Sequence, residues 1–199
     1  MLRVGLTGGL ASGKSSVAGI LRGLGAVVFD ADEIVKDLYG PGGAGVKTAR
    51  ELFGDAVLDA SGRIDRSRIA AIVFADPAKR HALEARIHPL VRAERARRFA
   101  EAEKSGAAVA VAEASQLLES NSEGDYDRVL LVIAPEAERI RRWEAKGGDP
   151  QDASRRIRSQ ISPSAAFDRA HDVLTNDGTL EELREKVVAL WQRWTKSAV

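Results

Sequence analysis

The residues between 8 and 15 combine glycines, a lysine and a serine at the spacing of a phosphate-binding loop. Gly8, Gly13, Lys14 and Ser15 match the pattern G-x-x-x-x-G-K-[ST]. Glycines let the backbone wrap closely around an anion, so that amide N–H groups and the dipole of the following helix face it. We predict that Lys14 bridges the outer phosphates of a nucleoside triphosphate and that the Ser15 hydroxyl ligates Mg²⁺. The predicted nucleotide-binding residues of this P-loop are Gly8, Gly9, Ala11, Ser12, Gly13, Lys14, Ser15 and Ser16.

Five apolar runs separated by helical patterns predict an α/β fold. The runs comprise residues 3–7, 26–30, 108–113, 129–133 and, more weakly, 172–175. Continuous apolar runs suit strands that are buried on both faces of a parallel sheet. We therefore predict a three-layer, doubly wound parallel sheet that carries the P-loop at the end of its first strand.

Two segments are too long or too polar to be simple crossovers. Residues 31–107 separate the second and third runs, where a crossover needs about a dozen residues. Helical patterns at 45–53, 66–74 and 77–104 predict a helical insert there, with a kink or break at His88 before Pro89. The second segment, residues 135–166, is rich in Arg, Glu and Gly, and its Gly147–Pro150 stretch predicts a break between two helical arms of a mobile lid.

These segments divide the chain into three predicted parts. The P-loop core comprises residues 1–35, 107–134 and 167–199, and the last helix, over 179–195, packs the end of the chain back on the sheet. The helical insert, residues 36–106, receives a substrate, and the lid, residues 135–166, excludes water from the reaction.

Composition excludes several other classes of protein. The formal net charge is +1, so we expect no nucleic-acid or membrane partner, and any basic site is a pocket. The chain has no cysteine, which excludes disulfides, thiolate zinc sites and cysteine nucleophiles. The apolar runs are too short to span a bilayer, and the first strand begins next to Met1, which leaves no room for a signal peptide. We expect a cytoplasmic protein that is a monomer or a weak homo-oligomer.

Two aspartates after the second strand indicate the kind of phosphoryl acceptor. Asp30 and Asp32 follow the carboxyl end of that strand, which faces the same crevice as the P-loop. An alcohol acceptor benefits from a carboxylate that takes its proton, whereas a phosphate acceptor needs cations. The alternatives are that Asp30 caps the next helix and that Asp32 complements its dipole. The chain lacks the Asn-Lys-x-Asp segment of guanine-binding proteins.

An ordered set of four motifs resembles the dephospho-coenzyme A kinases along essentially the whole chain. The residues from Gly5 to Ser15 match the loop G-L-T-G-G-x-x-S-G-K-S of that family, and Asp30-Ala31-Asp32 matches its Asp-Ala-Asp. The stretch from Leu83 to Val91, with His88-Pro89, matches its Leu-Glu-x-x-x-His-Pro-x-Val. The stretch from Asp172 to Gly178, with Asn176, matches the element before its last helix.

The resemblance implies transfer of the γ-phosphate of ATP to the ribose 3′-hydroxyl of dephospho-coenzyme A, which gives coenzyme A and ADP. It implies that Asp32 is the general base, that Lys14 and the loop amides hold the phosphates, and that Asn176 lies near the adenine. His88 in the insert and Glu113 at the end of the third strand are the other expected substrate contacts, and Arg141 is the expected catalytic cation of the lid. ATP and Mg²⁺ are the expected cofactors.

The chain departs from the family pattern at two places. It has Glu113-Ala114-Ser115-Gln116 where many members have Asp-x-Pro-Leu, and it has Ala145 where members carry a second lid arginine. In the lid, the alternatives to Arg141 are Arg142, Lys146 and the arginines of the following arm at positions 155, 156 and 158. Two further interpretations stay open: a kinase for another small molecule, such as a nucleoside monophosphate or a sugar acid, and a non-catalytic protein that binds ATP as a sensor.

Overall fold

A five-stranded parallel sheet forms the centre of the fold in the computed structural model, which describes residues 1–196. The strand order is β2-β3-β1-β4-β5, so the strand that precedes the P-loop is central. The strands are β1 (Leu2–Gly8), β2 (Val27–Asp30), β3 (Val109–Glu113), β4 (Arg128–Ile133) and β5 (Asp172–Thr175). The doubly wound parallel sheet predicted from the apolar runs is confirmed, with strand ends within two residues of prediction.

The described residues form nine α-helices, eight between the strands and one after the last strand. They are α1 (Lys14–Gly23), α2 (Ala31–Leu38), α3 (Ala44–Phe53), α4 (Arg66–Ala75), α5 (Pro77–Lys104), α6 (Glu136–Glu144), α7 (Pro150–Ser159), α8 (Pro163–Arg169) and α9 (Leu180–Lys196). None of the helices within residues 1–196 is long and apolar enough to cross a membrane. The helix α8 has no counterpart in the sequence prediction.

Successive side chains of β1 point to opposite faces of the sheet, and both faces are buried. Val4 and Leu6 of β1 are fully buried against α1 and α9, which supply Val17 and Leu190 among other apolar side chains. On the opposite face, Gly5 lies under the Leu117 side chain, where a Cβ atom would come within 2.4 Å of it. The sheet is thus covered on both faces, and the P-loop follows its central strand.

Contacts divide the chain into two compact units. The first comprises Met1–Asp30 and the residues from Glu101 onward, and the second comprises Ala31–Ala100. The second unit has its own core around Val57, Leu83 and Ile87, which packs α3, α4 and α5 together. The predicted boundaries of insert and lid stay predictions, and residues 197–199 of the predicted core lie outside the described part of the chain.

The helix α5 continues through Pro89, so it does not break at His88, and the other predicted outcome, a kink at that residue, stays a prediction. Proline removes one backbone donor and costs about 3 kcal/mol in a helix interior. Ile87 before the proline is buried, and Leu90 and Val91 after it pack on the same core. This anchoring on both sides of Pro89 explains why the helix persists.

Candidate active site

The P-loop joins the end of β1 to the start of α1 in a conformation that its glycines permit. Gly8 has φ 152° and Gly13, the N-cap of α1, has φ 103°. A Cβ atom on Gly8 would lie 2.3 Å from the Val132 carbonyl oxygen, and one on Gly13 would lie 2.0 Å from Nδ2 of Asn176. The loop therefore packs so closely on β4 and on the segment after β5 that only glycine fits at these positions.

We expect Gly8→Ala to lower the free energy of unfolding by about 2 kcal/mol or more, because neither the dihedral angle nor the strand backbone accommodates a methyl group. Gly19→Ala is the matched control. Gly19 lies inside α1, and a Cβ atom there would meet nothing within 4 Å, so we expect a gain of about 0.5–1 kcal/mol from helix propensity. Urea denaturation measures both changes. Equal stability of Gly8→Ala and the natural protein would contradict this account of the loop.

Lys14 and Ser15 face two different groups of oxygen atoms. The Lys14 ammonium donates to the carbonyl oxygens of Gly8 at 2.8 Å and Gly9 at 3.2 Å. The Ser15 hydroxyl donates to Oε1 of Glu113 at 3.1 Å. Glu113 ends β3 and pairs in register with Leu6 of β1, so its carboxylate lies at the carboxyl edge of the sheet beside the loop. An ammonium in this place could bind a phosphate, and the hydroxyl and carboxylate oxygens could hold a hard cation.

The pair formed by Ser15 and Glu113 fits Mg²⁺ only in part. Mg²⁺ prefers oxygen ligands and usually keeps several waters and substrate phosphates in its shell. Among residues 1–196, no group of three or more His, Cys, Asp or Glu side chains could hold a metal ion. The remaining ligands must therefore come from water and from the phosphates of the nucleotide.

The segment predicted as a lid contains α6 and α7, which the Gly147–Pro150 stretch separates as predicted. Asp149 caps α7 by accepting from the backbone N–H groups of Gln151 and Asp152, and Pro150 occupies the first helical position. The α6 side chains Arg141 and Arg142 both donate to Glu138, and these two guanidinium groups hold the pKa of its carboxyl at about 2.

Arg142 reaches the P-loop, whereas Arg141 is directed outward in this structure. The Arg142 guanidinium donates to the carbonyl oxygens of Ser12 at 3.4 Å and Asn176 at 3.2 Å. Its side chain is 22% exposed, against 71% for Arg141. Both arginines line one cavity of about 440 Å³ with the P-loop residues. The complete lining is Ala11, Ser12, Gly13, Lys14, Ser15, Ser16, Arg141, Arg142, Ala145, Lys146, Asn176, Gly178, Leu180 and Leu183.

Asn176 supports the loop from the segment after β5. Its side chain is buried, and Nδ2 donates to the Ser12 carbonyl oxygen at 2.8 Å. Its backbone N–H donates to the carbonyl oxygen of Ile133 at the end of β4. The hydroxyl of Ser12 is also buried and has no hydrogen-bond partner within residues 1–196. The predicted P-loop residues thus lie in the first unit, together with three other predicted site residues: Glu113, Arg141 and Asn176.

Asp32 and His88, the other predicted site residues, belong to the second unit. Asp32 lies in the first turn of α2 and is exposed. It lines a cavity of about 460 Å³ whose other walls come from α2, α4 and their flanking residues: Val35, Lys36, Tyr39, Ile64, Arg66, Ile69 and Ala70. His88 is exposed on α5 and does not line that cavity.

Two lid residues that sequence reasoning missed contact the P-loop directly. Arg139 donates to the Leu10 carbonyl oxygen at 2.7 Å, and Oε1 of Gln160 accepts from the Leu10 N–H at 3.1 Å. The one available signal was that Arg139 and Arg142 are three residues apart and so share a face of α6. Gln160 follows the end of α7 and had no comparable signal.

Comparison with known proteins decides among the interpretations left open by the sequence. The profile of the family described as "Dephospho-CoA kinase" matches residues 2–182. The chain belongs to the dephospho-CoA kinase family. A dephospho-CoA kinase of Frankia casuarinae is 41% identical over 192 residues, which cover 96% of this chain and 83% of that protein. One from Leifsonia xyli is 42% identical over 193 residues, which cover 96% and 98%.

Solved structures of other proteins have the same fold. A Thermus thermophilus crystal structure matches with a TM-score of 0.76 and 35% identity over 96% of this chain and 97% of that one. A dephospho-CoA kinase of Campylobacter jejuni, at 21% identity and a TM-score of 0.63 over 98% and 97% of the two chains, shares the fold. A shikimate kinase of Acinetobacter baumannii, at 17% identity and a TM-score of 0.54 over 97% and 94%, shares the fold as well.

Membership in the dephospho-CoA kinase family identifies the chain as a phosphotransferase of the last step of coenzyme A biosynthesis. It also implies the use of ATP. The resemblance inferred from the four motifs is therefore confirmed. The match extends through Glu113-Ala114-Ser115-Gln116 and Ala145, so these departures do not remove the chain from the family.

Proposed function

We propose that this chain transfers the γ-phosphate of ATP to the ribose 3′-hydroxyl of dephospho-CoA, with Asp32 as the proton acceptor. A bond forms between the 3′-oxygen and the γ-phosphorus, and the bond from that phosphorus to the bridging oxygen of ADP breaks. The hydroxyl proton goes to the Asp32 carboxylate. The observation that carries the nucleotide half of this proposal is the single cavity in which Lys14, Arg142 and the P-loop meet.

The phosphates are held mainly by backbone N–H groups and by cations. Lys14 donates to two loop carbonyl oxygens in this structure, and phosphate oxygens in the same place would take those donor positions. Arg142 and Lys146 line the cavity with Arg141, so we propose that one of these cations reaches the γ-phosphate from the lid. Phosphoryl transfer needs this combination of positioning and charge more than covalent chemistry.

Ser15 and Glu113 would hold Mg²⁺ together with the phosphates, Ser15 directly and Glu113 through water. When bound, the ion neutralises charge on the β- and γ-phosphates. The 3.1 Å hydrogen bond between the two side chains supports this role, because it places a hydroxyl and a carboxylate oxygen at one point beside the loop. Asn176, which borders the same cavity, is proposed to lie near the adenine.

The acceptor side of the proposal rests on the cavity lined by Asp32. Its walls are largely apolar, with Tyr39 and Ile69 among them, and two cations, Lys36 and Arg66, stand at its surface. Neither cation has a hydrogen-bonded or ionic partner within residues 1–196, whereas nearby Arg68 is engaged with the Asp65 carboxylate. The adenine of dephospho-CoA could pack against the apolar walls, and its pyrophosphate could pair with Lys36 and Arg66. His88 is proposed as a further contact with the acceptor.

We expect Lys36→Ala and Arg66→Ala each to raise the KM for dephospho-CoA about 10-fold, because each removes a cation that would pair with the pyrophosphate. The KM for ATP should change less than about twofold. Steady-state kinetics with each substrate varied in turn measures both. Lys47→Ala is the matched control, since Lys47 is exposed on α3 and lies outside the cavity. Unchanged KM for dephospho-CoA in both variants would contradict this acceptor site.

Incubation of the purified protein with ATP, Mg²⁺ and dephospho-CoA tests the function. Mass spectrometry should detect coenzyme A, which is heavier than the acceptor by one phosphoryl group, and an equal amount of ADP. Competing nucleoside monophosphates and a sugar acid in the same mixture should stay unmodified. Phosphorylation of a competitor in preference would favour a kinase for another small molecule, and intact ATP with every acceptor would favour a nucleotide sensor.

A further inference from the structure

The peptide groups on both sides of Leu10 are bound by two lid side chains that the proposed mechanism does not use. We infer that Arg139 and Gln160 form a clamp that sets the P-loop backbone for phosphate binding, and that both are positioning residues. Nε of Arg139 donates to the Leu10 carbonyl oxygen at 2.7 Å, and Oε1 of Gln160 accepts from the Leu10 N–H at 3.1 Å. Nη2 of Arg139 donates to the same Gln160 oxygen at 2.6 Å, which closes a ring of three hydrogen bonds.

The clamp fixes the direction of two peptide planes. In a trans peptide the C=O and the N–H lie on opposite sides, so holding one sets the other. With the Leu10 N–H bound to Gln160, the Gly9 carbonyl oxygen faces the other way, where it accepts from the Ser12 N–H at 3.2 Å and from Lys14 Nζ at 3.2 Å. With the Leu10 C=O bound to Arg139, the following Ala11 N–H is turned away from the lid side chains. The phosphate donors of the loop are thus oriented from outside the loop.

Ala11 shows why the loop needs such support. It has φ 53°, in the left-handed region that residues with a Cβ atom seldom occupy. Conformations of this kind persist only where the surrounding structure over-determines them. Hydrogen bonds from outside the loop bind the residue on each side of Ala11: Arg139 and Gln160 bind Leu10, and the Asn176 side chain binds the Ser12 carbonyl oxygen.

Arg139 differs from the other arginines of α6 in its hydrogen-bond partners. Arg141 and Arg142 both pair with the Glu138 carboxylate, whereas no carboxylate of residues 1–196 lies within salt-bridge distance of Arg139. Its side chain is half-buried, and burial lowers the pKa of its guanidinium. The Arg139 guanidinium therefore donates a charge-assisted hydrogen bond to a neutral backbone carbonyl, and such a bond is about twice as strong as one between neutral groups.

The clamp joins both arms of the lid at one point of the P-loop. Arg139 belongs to α6, and Gln160 follows the last residue of α7. Both side chains pack closely against Gly9, since a Cβ atom on that residue would lie 2.3 Å from Nη2 of Arg139 and 2.8 Å from Oε1 of Gln160. A lid in this position and a P-loop in this conformation therefore stabilise each other, and the effect on turnover rests on the proposed function.

The variants Arg139→Lys and Gln160→Met test the clamp. The first keeps the positive charge and loses the planar fork, and the second keeps the length and loses the acceptor. The matched controls are Arg155→Lys, an exposed α7 arginine paired with Asp152, and Gln151→Met, an exposed residue of the same helix. We would measure hydrogen exchange of the loop peptide without nucleotide, ADP affinity by calorimetry, and kcat and KM for ATP.

In both clamp variants we expect faster exchange confined to residues 9–13 and ADP affinity weakened by about 10- to 100-fold, the cost of one charge-assisted hydrogen bond. KM for ATP should rise more than kcat falls, and the double variant should lose no more than the worse single one. Unchanged loop exchange, ADP affinity within about twofold of the natural protein, equal losses in the controls, or faster exchange throughout the chain would each overturn the inference. If the natural protein fails to phosphorylate dephospho-CoA, the proposed function fails, while exchange and ADP affinity still test the clamp.

Discussion

Replacement of Lys14 by Met is expected to lower kcat/KM for ATP by about 10³-fold and to leave the fold intact. The substituted side chain has similar length but no charge, so the outer phosphates lose their cation at the moment when charge develops on the transferring group. Removing a single transition-state donor costs about 10²- to 10³-fold in well-studied enzymes, and here a full charge is removed with it.

We expect the folded protein to tolerate this change because the loop carbonyl oxygens of Gly8 and Gly9, to which Lys14 donates, are neutral acceptors. Gly9 keeps a second donor, the Ser12 N–H, so the cost in unfolding free energy should be about 1 kcal/mol. Lys104→Met, an exposed lysine at the end of α5, is the control. Retention of more than a tenth of the natural kcat/KM by Lys14→Met, at normal stability, would show that the lid cations alone neutralise the phosphates.

The sheet could be predicted from the sequence because its signals are local. The β1 and β4 strands are continuous apolar runs, and the P-loop pattern gives the junction of β1 with α1 within a residue. The prediction failed where distant contacts outweigh local preference. α5 passes through Pro89 because Ile87 before it and Leu90 after it pack on the core of the second unit. α8 was missed because it is a short helix of seven residues with one buried alanine.

The site was predictable where the motif itself carries the chemistry. Lys14 and Ser15 begin α1 after the loop that follows β1, and Glu113 ends β3. The parallel pairing of β1 with β3 brings them together once the strand order is known. The contacts of the lid were harder to predict, because the sequence of a helix with several arginines does not determine which of them contacts the P-loop. The structure places Arg142 on the Ser12 and Asn176 carbonyl oxygens, a choice that depends on how α6 is rotated about its axis.

Asp32→Asn should lower kcat by about 10²- to 10³-fold, with KM for both substrates within about threefold of the natural values. The amide is nearly isosteric with the carboxylate and can still accept a hydrogen bond from the 3′-hydroxyl, but it cannot take its proton. General-base catalysis contributes about 10²- to 10⁴-fold in enzymes. We expect the lower part of that range because phosphoryl transfer has a loose transition state, in which the attacking hydroxyl gives up its proton late.

Glu33→Gln is the matched control for this variant. Glu33 neighbours Asp32 in the first turn of α2, is equally exposed, and does not line the acceptor cavity. Loss of a helix-dipole carboxylate would affect both variants similarly, by at most about 1 kcal/mol of stability. A large loss of kcat in Asp32→Asn alone separates the proton acceptor from that structural role. Equal kcat in the two variants would contradict the assignment of Asp32, because the reaction would then proceed without the Asp32 carboxylate to accept the proton.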